Sequence, residues 1–101
     1  MAAPRRRVFL GTPEVAVGPL RALVEAGHDI ALVVSRPDRR RGRGGALLPS
    51  PVKAAALDLG LPVTAGVDDA IAPGIDADLG VVVAYGRLVK PPVLDALPMV
   101  N

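Results

Sequence analysis

Short runs of consecutive apolar residues alternate along this chain with segments that carry the signals of helices. The apolar runs that predict strands are residues 8–10, 28–35, 61–64 and 79–84, with a fifth that begins at residue 99. Such runs do not alternate between apolar and polar positions, which is typical of parallel strands that helices cover on both faces. The run at 61–64 is predicted at a sheet edge, because Pro62 has no N–H for a neighbouring strand.

The first predicted helix follows the strand at residues 8–10. Thr12 is expected to cap it, and Pro13 takes the first helical position, where proline is favoured. The Ala-Gly pair at residues 26–27 is expected to end the helix. Its buried stripe is predicted to consist of Val15, Leu20, Leu23 and Val24.

A second helix is predicted from Ser50, with Ser50 as its cap, Pro51 as its first residue and Gly60 at its end. Its buried face is predicted to consist of Val52, Ala55, Ala56 and Leu59. Shorter helical segments are expected at residues 68–73 and 91–97.

The alternation of strands and helices predicts an α/β fold, a doubly wound parallel sheet of the Rossmann-like kind. The expected strand order is third, second, first, fourth, fifth. In such sheets ligands bind at the carboxyl ends of the strands, where the winding reverses. That rule predicts a substrate-edge loop formed by Gly11, Thr12 and Pro13, lying beside residues 84–86.

Composition narrows the class of protein. The 101 residues suffice for one domain, half of them are apolar, and the mean hydropathy is +0.40. The longest apolar run is far shorter than the roughly 20 residues of a membrane span. Because the chain has no cysteine, it has neither a disulfide framework nor a thiolate metal site. We expect a cytoplasmic protein that does not act at a membrane.

The positive charge of the chain is concentrated in its first part. Residues 1–43 contain nine Arg and Lys against four Asp and Glu, whereas residues 44–101 contain three against six. Five arginines fall within residues 36–43, among glycines and prolines that predict a loop over residues 36–53. A basic loop on a rigid scaffold suggests RNA as the partner, although such segments can also be disordered or bind any nucleic acid. The predicted RNA-binding residues are Arg36, Arg39, Arg40, Arg41, Arg43 and Lys53.

Other familiar sites are not indicated. The turn after the first strand lacks the G-x-G-x-x-G pattern of dinucleotide binding, and no phosphate-binding P-loop is present. His28 is expected in a turn at the amino end of the second strand, away from the ligand edge. The residues present form no complete catalytic or metal-binding set, so an enzyme would need further groups.

Three stretches together resemble one protein family. They are Gly11-Thr12-Pro13, the basic segment that ends in Pro49-Ser50-Pro51-Val52-Lys53, and Val82-Val83-Ala84-Tyr85-Gly86. In this order and spacing they are similar to the amino-terminal part of the methionyl-tRNA formyltransferases, over essentially all 101 residues. The basic segment is the specific feature. The other two are weaker alone, because formyltransferases that act on sugars or on glycinamide ribonucleotide share the fold.

The resemblance implies a reaction and roles for individual residues. The reaction is transfer of a formyl group from 10-formyltetrahydrofolate to the α-amino group of methionyl initiator tRNA, without a metal. The basic loop would reach the acceptor stem, with Arg43 helping to read its unpaired end, and Asn101 would be the catalytic asparagine. The residues implied to line the folate pocket are Tyr85, Gly86, Arg87, Leu88 and Val89.

The resemblance also implies that residues 1–101 are the amino-terminal half of a formyltransferase catalytic domain. The family's catalytic histidine and aspartate and its carboxyl-terminal tRNA-binding domain match positions beyond Asn101, so we expect a truncated piece that is inactive alone. Two alternatives stay open. One is a formyltransferase acting on another amine, which should lack the basic loop; the other is a small, non-catalytic RNA-binding module.

Overall fold

Five parallel strands form the centre of the structure, a computed structural model that describes residues 6–41 and 45–101. Along the chain the strands are β1 (Arg6–Gly11), β2 (Asp29–Val34), β3 (Arg39–Arg41), β4 (Ala46–Leu48), β5 (Val63–Thr64), β6 (Leu79–Val83) and β7 (Met99–Val100). The helices are α1 (Val17–Glu25), α2 (Pro51–Asp58) and α3 (Pro91–Ala96), with 3₁₀ turns at Glu14–Ala16 and Val67–Ile71.

The order of the strands in the main sheet is β5-β2-β1-β6-β7, with parallel pairing throughout. The predicted order and the doubly wound parallel architecture are therefore confirmed. The winding reverses at β1, whose two neighbours are β2 and β6. The edge position predicted for the strand at residues 61–64 is also confirmed, because within the described part of the chain β5 pairs only with β2.

The sheet is covered on both faces, and β1 shows why its apolar run does not alternate. Val8 and Leu10 belong to one core cluster, which α3 and the second 3₁₀ turn complete with Val93 and Ala70. Phe9 belongs to the other cluster, which α1 and α2 cover. Successive residues of β1 thus pack on opposite faces of the sheet, and the residues on both faces are buried. No helix of the described residues is long and apolar enough to cross a membrane.

The start of the first helix differs from its prediction. Pro13 is extended, with φ −80° and ψ 173°, and α1 begins only at Val17 after a 3₁₀ turn. The Thr12 side chain caps no helix, because its hydroxyl bonds to a distant segment. Val15 is 70% exposed and does not belong to the buried stripe, since the 3₁₀ turn rotates it away from the core.

The second helix follows its prediction closely. Ser50 is the cap, and its hydroxyl accepts a hydrogen bond from the Lys53 N–H at 3.0 Å. Pro51 is the first helical residue, and Gly60, with φ +72°, follows the helix end. Val52, Ala55 and Ala56 are buried, while Leu59 packs partly buried against the same cluster.

The basic segment is not the irregular loop predicted from its composition. β3 and β4 pair antiparallel, with Arg39 opposite Leu48 and Arg41 opposite Ala46. We call this pair the basic hairpin. A separate two-stranded ribbon tolerates the prolines of the segment because Pro37 and Pro49 lie outside both strands. Residues 42–44, which include the predicted acceptor-stem reader Arg43, lie outside the described residues.

Candidate functional site

The carboxyl ends of four strands bring the predicted stretches to one edge of the sheet. β1 and β6 run side by side with Gly11 level with Val83, and β2 lies on the other side of β1. The residues that directly follow β1, β2, β6 and β7 are Thr12, Ser35, Ala84 and Asn101. We call this side of the sheet the carboxyl edge.

Thr12 connects three of the predicted stretches. Its hydroxyl donates a hydrogen bond to the backbone oxygen of Tyr85 at 3.1 Å. Its own backbone oxygen accepts a hydrogen bond from the Val52 N–H at 3.3 Å. The turn after β1 is thereby fixed to the loop after β6 and to the first turn of α2, which supports the basic hairpin. Sequence reasoning missed this role, since a threonine before a proline carries the same signal as a helix cap.

Gly11 directly precedes this turn, at a point where the backbone is closely packed against its neighbours. A Cβ atom added at Gly11 would lie 2.9 Å from the Phe9 ring, 2.9 Å from the Val83 backbone oxygen and 3.0 Å from the Ala16 Cβ. The constraint is therefore close packing of the backbone against its neighbours. Only glycine lets β1 and β6 stay paired to the point where Thr12 leaves the sheet.

The loop after β6 has an unusual backbone and an exposed surface. Ala84 has φ +49° and Gly86 has φ +75°, and the left-handed region is sparsely populated by alanine. Strain of this kind occurs where surrounding contacts hold a segment in place, and the Thr12 bond is one such contact. Gly86, Arg87 and Leu88 are exposed, with Leu88 at 82%, and Val89 packs partly buried against the core.

Tyr85 differs from the other residues of this loop. It is only 4% exposed and packs in the core cluster that contains Leu10 and Val34. Burial raises the pKa of its phenol, an effect that the nearby Arg87 partly offsets, so the hydroxyl is neutral at neutral pH. The ring is thus part of the hydrophobic core. The atom of Tyr85 that contacts the turn after β1 is its backbone oxygen.

Asn101 lies at the same edge. It directly follows β7, whose Val100 pairs with Val81 of β6, and it is exposed. The strand next to it leads into Ala84 and Tyr85. His28, by contrast, is exposed in the turn before β2, at the amino end of that strand. Among the residues that the structure covers, no three His, Cys, Asp or Glu side chains are grouped to hold a metal ion.

Four of the six predicted RNA-binding cations, Arg36, Arg39, Arg40 and Lys53, fall into two environments. Arg39 and Arg40 are exposed on β3 of the basic hairpin, and Arg40 donates a hydrogen bond to the Gly45 backbone oxygen at 2.5 Å. Arg36 and Lys53 lie at the base of the hairpin. Arg36 is only 8% exposed, and the Lys53 ammonium binds the Asp38 carboxylate at 2.8 Å.

Two polar contacts fix the base of the hairpin to the scaffold. The hydroxyls of Ser35 and Ser50 share a hydrogen bond of 2.5 Å, and both residues are almost completely buried. The ion pair of Asp38 with Lys53 crosses the same two segments. The hairpin therefore leaves the sheet from a defined position between β2 and α2. Ser35 and Asp38 were not predicted as functional, because nothing in their local sequence shows that they meet α2.

Comparison with solved structures identifies the class of fold. The chain is similar to glycinamide ribonucleotide transformylase 1 from Geobacillus kaustophilus, with a TM-score of 0.64 over 95% of this chain and 55% of that one. The sequence identity of 16% means that the likeness shows the fold alone. The parallel five-stranded sheet with its flanking helices is thus a formyltransferase fold.

Sequence relatives identify the particular family. Methionyl-tRNA formyltransferase from Heliobacterium modesticaldum is 54% identical over 98 residues, which are 92% of this chain and 31% of that protein. The enzymes of Synechococcus sp. and Roseobacter denitrificans are each 50% identical, over 93% and 90% of this chain. The predicted relationship to the amino-terminal part of methionyl-tRNA formyltransferases is confirmed. The chain spans about a third of the length of these relatives. No protein-family model matches it.

Proposed function

We propose that this chain is the amino-terminal part of the catalytic domain of an enzyme that formylates methionyl initiator tRNA with 10-formyltetrahydrofolate as the donor. The observation that carries the proposal is the convergence of three stretches at the carboxyl edge, joined through Thr12. One is the turn after β1, one is the exposed loop after β6, and one is α2 with the basic hairpin. The names of the relatives support formyl transfer to methionyl-tRNA.

The chemistry assigns a role to Asn101. The neutral α-amino nitrogen attacks the formyl carbon, a C–N bond forms, and the carbonyl oxygen becomes negative in a tetrahedral intermediate. The attacking nitrogen loses a proton, the bond from carbon to the folate nitrogen breaks, and the folate nitrogen takes up a proton. An amide N–H of Asn101 stabilises the negative oxygen. The groups that move protons belong to the rest of the enzyme, since His28 is at the opposite end of its strand.

The exposed loop after β6 supplies surface for the folate. Leu88 is 82% exposed, and Val15, in the segment that follows β1, is 70% exposed. Exposed apolar side chains at a ligand edge suit a flat ring system. Arg87, directly before Leu88, is also exposed and provides a cation for the carboxylates of the folate tail.

The direct test is formylation by the full-length protein. Methionyl initiator tRNA, glycinamide ribonucleotide and an amino sugar are offered separately with 10-formyltetrahydrofolate, and transfer of labelled formyl groups is measured. We expect turnover with methionyl-tRNA. Turnover only with another amine would support the related formyltransferases instead, and RNA binding without any turnover would support a non-catalytic module.

We expect Thr12→Val to impair use of the folate donor selectively. The substitution keeps the shape of the side chain and removes the hydroxyl that holds the Tyr85 carbonyl, while the backbone bond from Val52 to Thr12 is unaffected. Loss of one such hydrogen bond should lower kcat/KM for the folate roughly five- to tenfold. Thr12→Ser keeps the hydroxyl and is the matched control. An equal rise in KM for folate and for tRNA would contradict the positioning role.

We expect Arg39→Gln to weaken binding of all RNAs. Arg39 is exposed on β3, and a lost phosphate contact reduces the slope of log affinity against log salt by about one. Arg43→Ala, in contrast, should reduce the preference for initiator over elongator methionyl-tRNA. The control is Arg6→Gln, which makes the same charge change at the amino end of β1. If Arg6→Gln lowered the slope as much as Arg39→Gln, the hairpin would not be the RNA contact.

A further inference from the structure

Arg36 is a buried cation whose charge is not balanced by a neighbouring carboxylate. It is 8% exposed, and one of its terminal nitrogens donates to the Pro37 backbone oxygen at 3.2 Å. Within the described residues, no carboxylate oxygen lies within 4.0 Å of its guanidinium, whereas Arg6, Arg7 and Lys53 each have such a partner. A guanidinium has five N–H donors, and those of Arg36 that have no partner face space that solvent can reach, since no buried side-chain nitrogen of the described residues lacks a hydrogen bond.

Arg36 lines a small cavity at the carboxyl ends of β2 and β5. The cavity has a volume of about 110 Å³, and its wall also includes Lys53, Thr64 and Ala65. Because one water takes up about 30 Å³, the space admits a group of several heavy atoms. It lies at the base of the basic hairpin, on the side of β2 away from β1.

The charges around the cavity favour an anion. The Lys53 ammonium is bound to Asp38, so this pair is close to neutral. The Thr64 hydroxyl donates to Asp69 at 2.6 Å, but Asp69 is exposed to solvent and does not line the cavity. Among the described charged groups of the wall, that of Arg36 is therefore the one without a local counter-charge.

We propose that this cavity binds one phosphate group, held by the guanidinium of Arg36. A planar guanidinium presents parallel N–H donors that match two oxygens of a phosphate. Lys53 adds a second cation to the wall, and its ammonium can share its donors between Asp38 and the bound group. The phosphate belongs either to the backbone of an RNA that lies along the basic hairpin or to a small phosphorylated molecule. The site does not depend on the proposed reaction.

The test uses inorganic phosphate and the full-length protein. Thermal melting is measured against phosphate concentration, with chloride keeping the ionic strength constant. We expect the melting temperature to rise with phosphate, and Arg36→Gln to weaken phosphate binding about tenfold or more, since hydrogen bonds to charged groups are strong. In chloride alone Arg36→Gln should change the melting temperature little, because the substitution breaks no ion pair among the described residues.

Arg39→Gln is the matched control, since it removes an exposed arginine of the hairpin with the same charge change. It should keep the full response to phosphate. A response that is absent, or that Arg36→Gln and Arg39→Gln lower equally, would overturn the proposal. Arg36→Lys keeps the charge without the paired donors, and an intermediate phosphate affinity is expected; an unchanged affinity would contradict a guanidinium site.

A competition experiment distinguishes the two sources of phosphate. If an RNA phosphate occupies the cavity, inorganic phosphate should lower the affinity for an acceptor-stem RNA, and Arg36→Gln should abolish this competition. If the ligand is a small phosphorylated molecule, RNA affinity should not change with phosphate at constant ionic strength, while the melting response remains. Competition that survives in Arg36→Gln would assign it to general screening and count against the site.

Discussion

Gly11→Ala is expected to destabilise the full-length protein by roughly 2–3 kcal/mol, the cost of overpacking a tight core. The added Cβ would approach the buried Phe9 ring and the Val83 backbone oxygen, each to 2.9 Å. Neither can move without disturbing the pairing of β1 with β6. Thermal and urea unfolding would measure the loss, and formylation should fall further than the unfolded fraction explains, because Thr12 is displaced as well.

Two other glycines provide controls for this prediction. Gly18 lies in α1 with no atom within 4 Å of an added Cβ, so Gly18→Ala should stabilise the protein by about 0.5–1 kcal/mol. At Gly80 the nearest atom is the Met99 sulfur at 2.8 Å, near the end of a flexible side chain, and a cost smaller than at Gly11 is expected. If Gly11→Ala were as stable as Gly18→Ala, the proposed role of Gly11 would be wrong.

The architecture could be predicted because its signals are local. Apolar runs without alternation identify buried parallel strands, and Ser50 followed by Pro51 marks the start of α2. The strand order then follows from general rules of connection in α/β proteins. The meeting of Gly11 with the loop after Val83 at one edge is a consequence of that order.

The details of the site could not be predicted in the same way, because they depend on distant partners. The Thr12 hydroxyl bonds to a carbonyl 73 residues away and does not cap its own helix. Packing decides between these two partners. Tyr85 follows a strand end like an exposed loop residue, yet the left-handed turn at Ala84 carries it into the core. A single-sequence pattern contains neither fact.

In the basic segment, too, the sequence alone does not show the environment of each charged side chain. In the sequence Arg36, Arg39 and Lys53 are three equivalent cations near one another. In the structure one is buried beside a cavity, one is exposed on a strand, and one is paired with Asp38. The three environments predict three different effects of removing the charge. Loss of Arg36 should weaken phosphate binding in the cavity, loss of Arg39 should lower RNA affinity, and loss of Lys53 should loosen the base of the hairpin.

The largest expected effect on catalysis is that of Asn101→Ala, which should lower kcat of the full-length enzyme by about 10²–10³. The side-chain amide stabilises the formyl oxygen most strongly when that oxygen carries negative charge, so KM for both substrates should change little. Measuring kcat and KM separately for the folate and for methionyl-tRNA checks this. The same reasoning predicts no formylation by residues 1–101 alone, since an amide donor cannot deprotonate the attacking ammonium.

Asn101→Asp separates the loss of a donor from the loss of a side chain. Aspartate is nearly isosteric with asparagine but presents a negative oxygen where the oxyanion forms, so its kcat should be at least as low as that of Asn101→Ala. Val100→Ala, one residue earlier and 49% exposed, removes apolar volume from the same strand and should leave kcat close to normal. Near-normal kcat in either Asn101 variant, or a loss that appears in KM alone, would remove Asn101 from the chemical step and leave it a binding residue at the carboxyl edge.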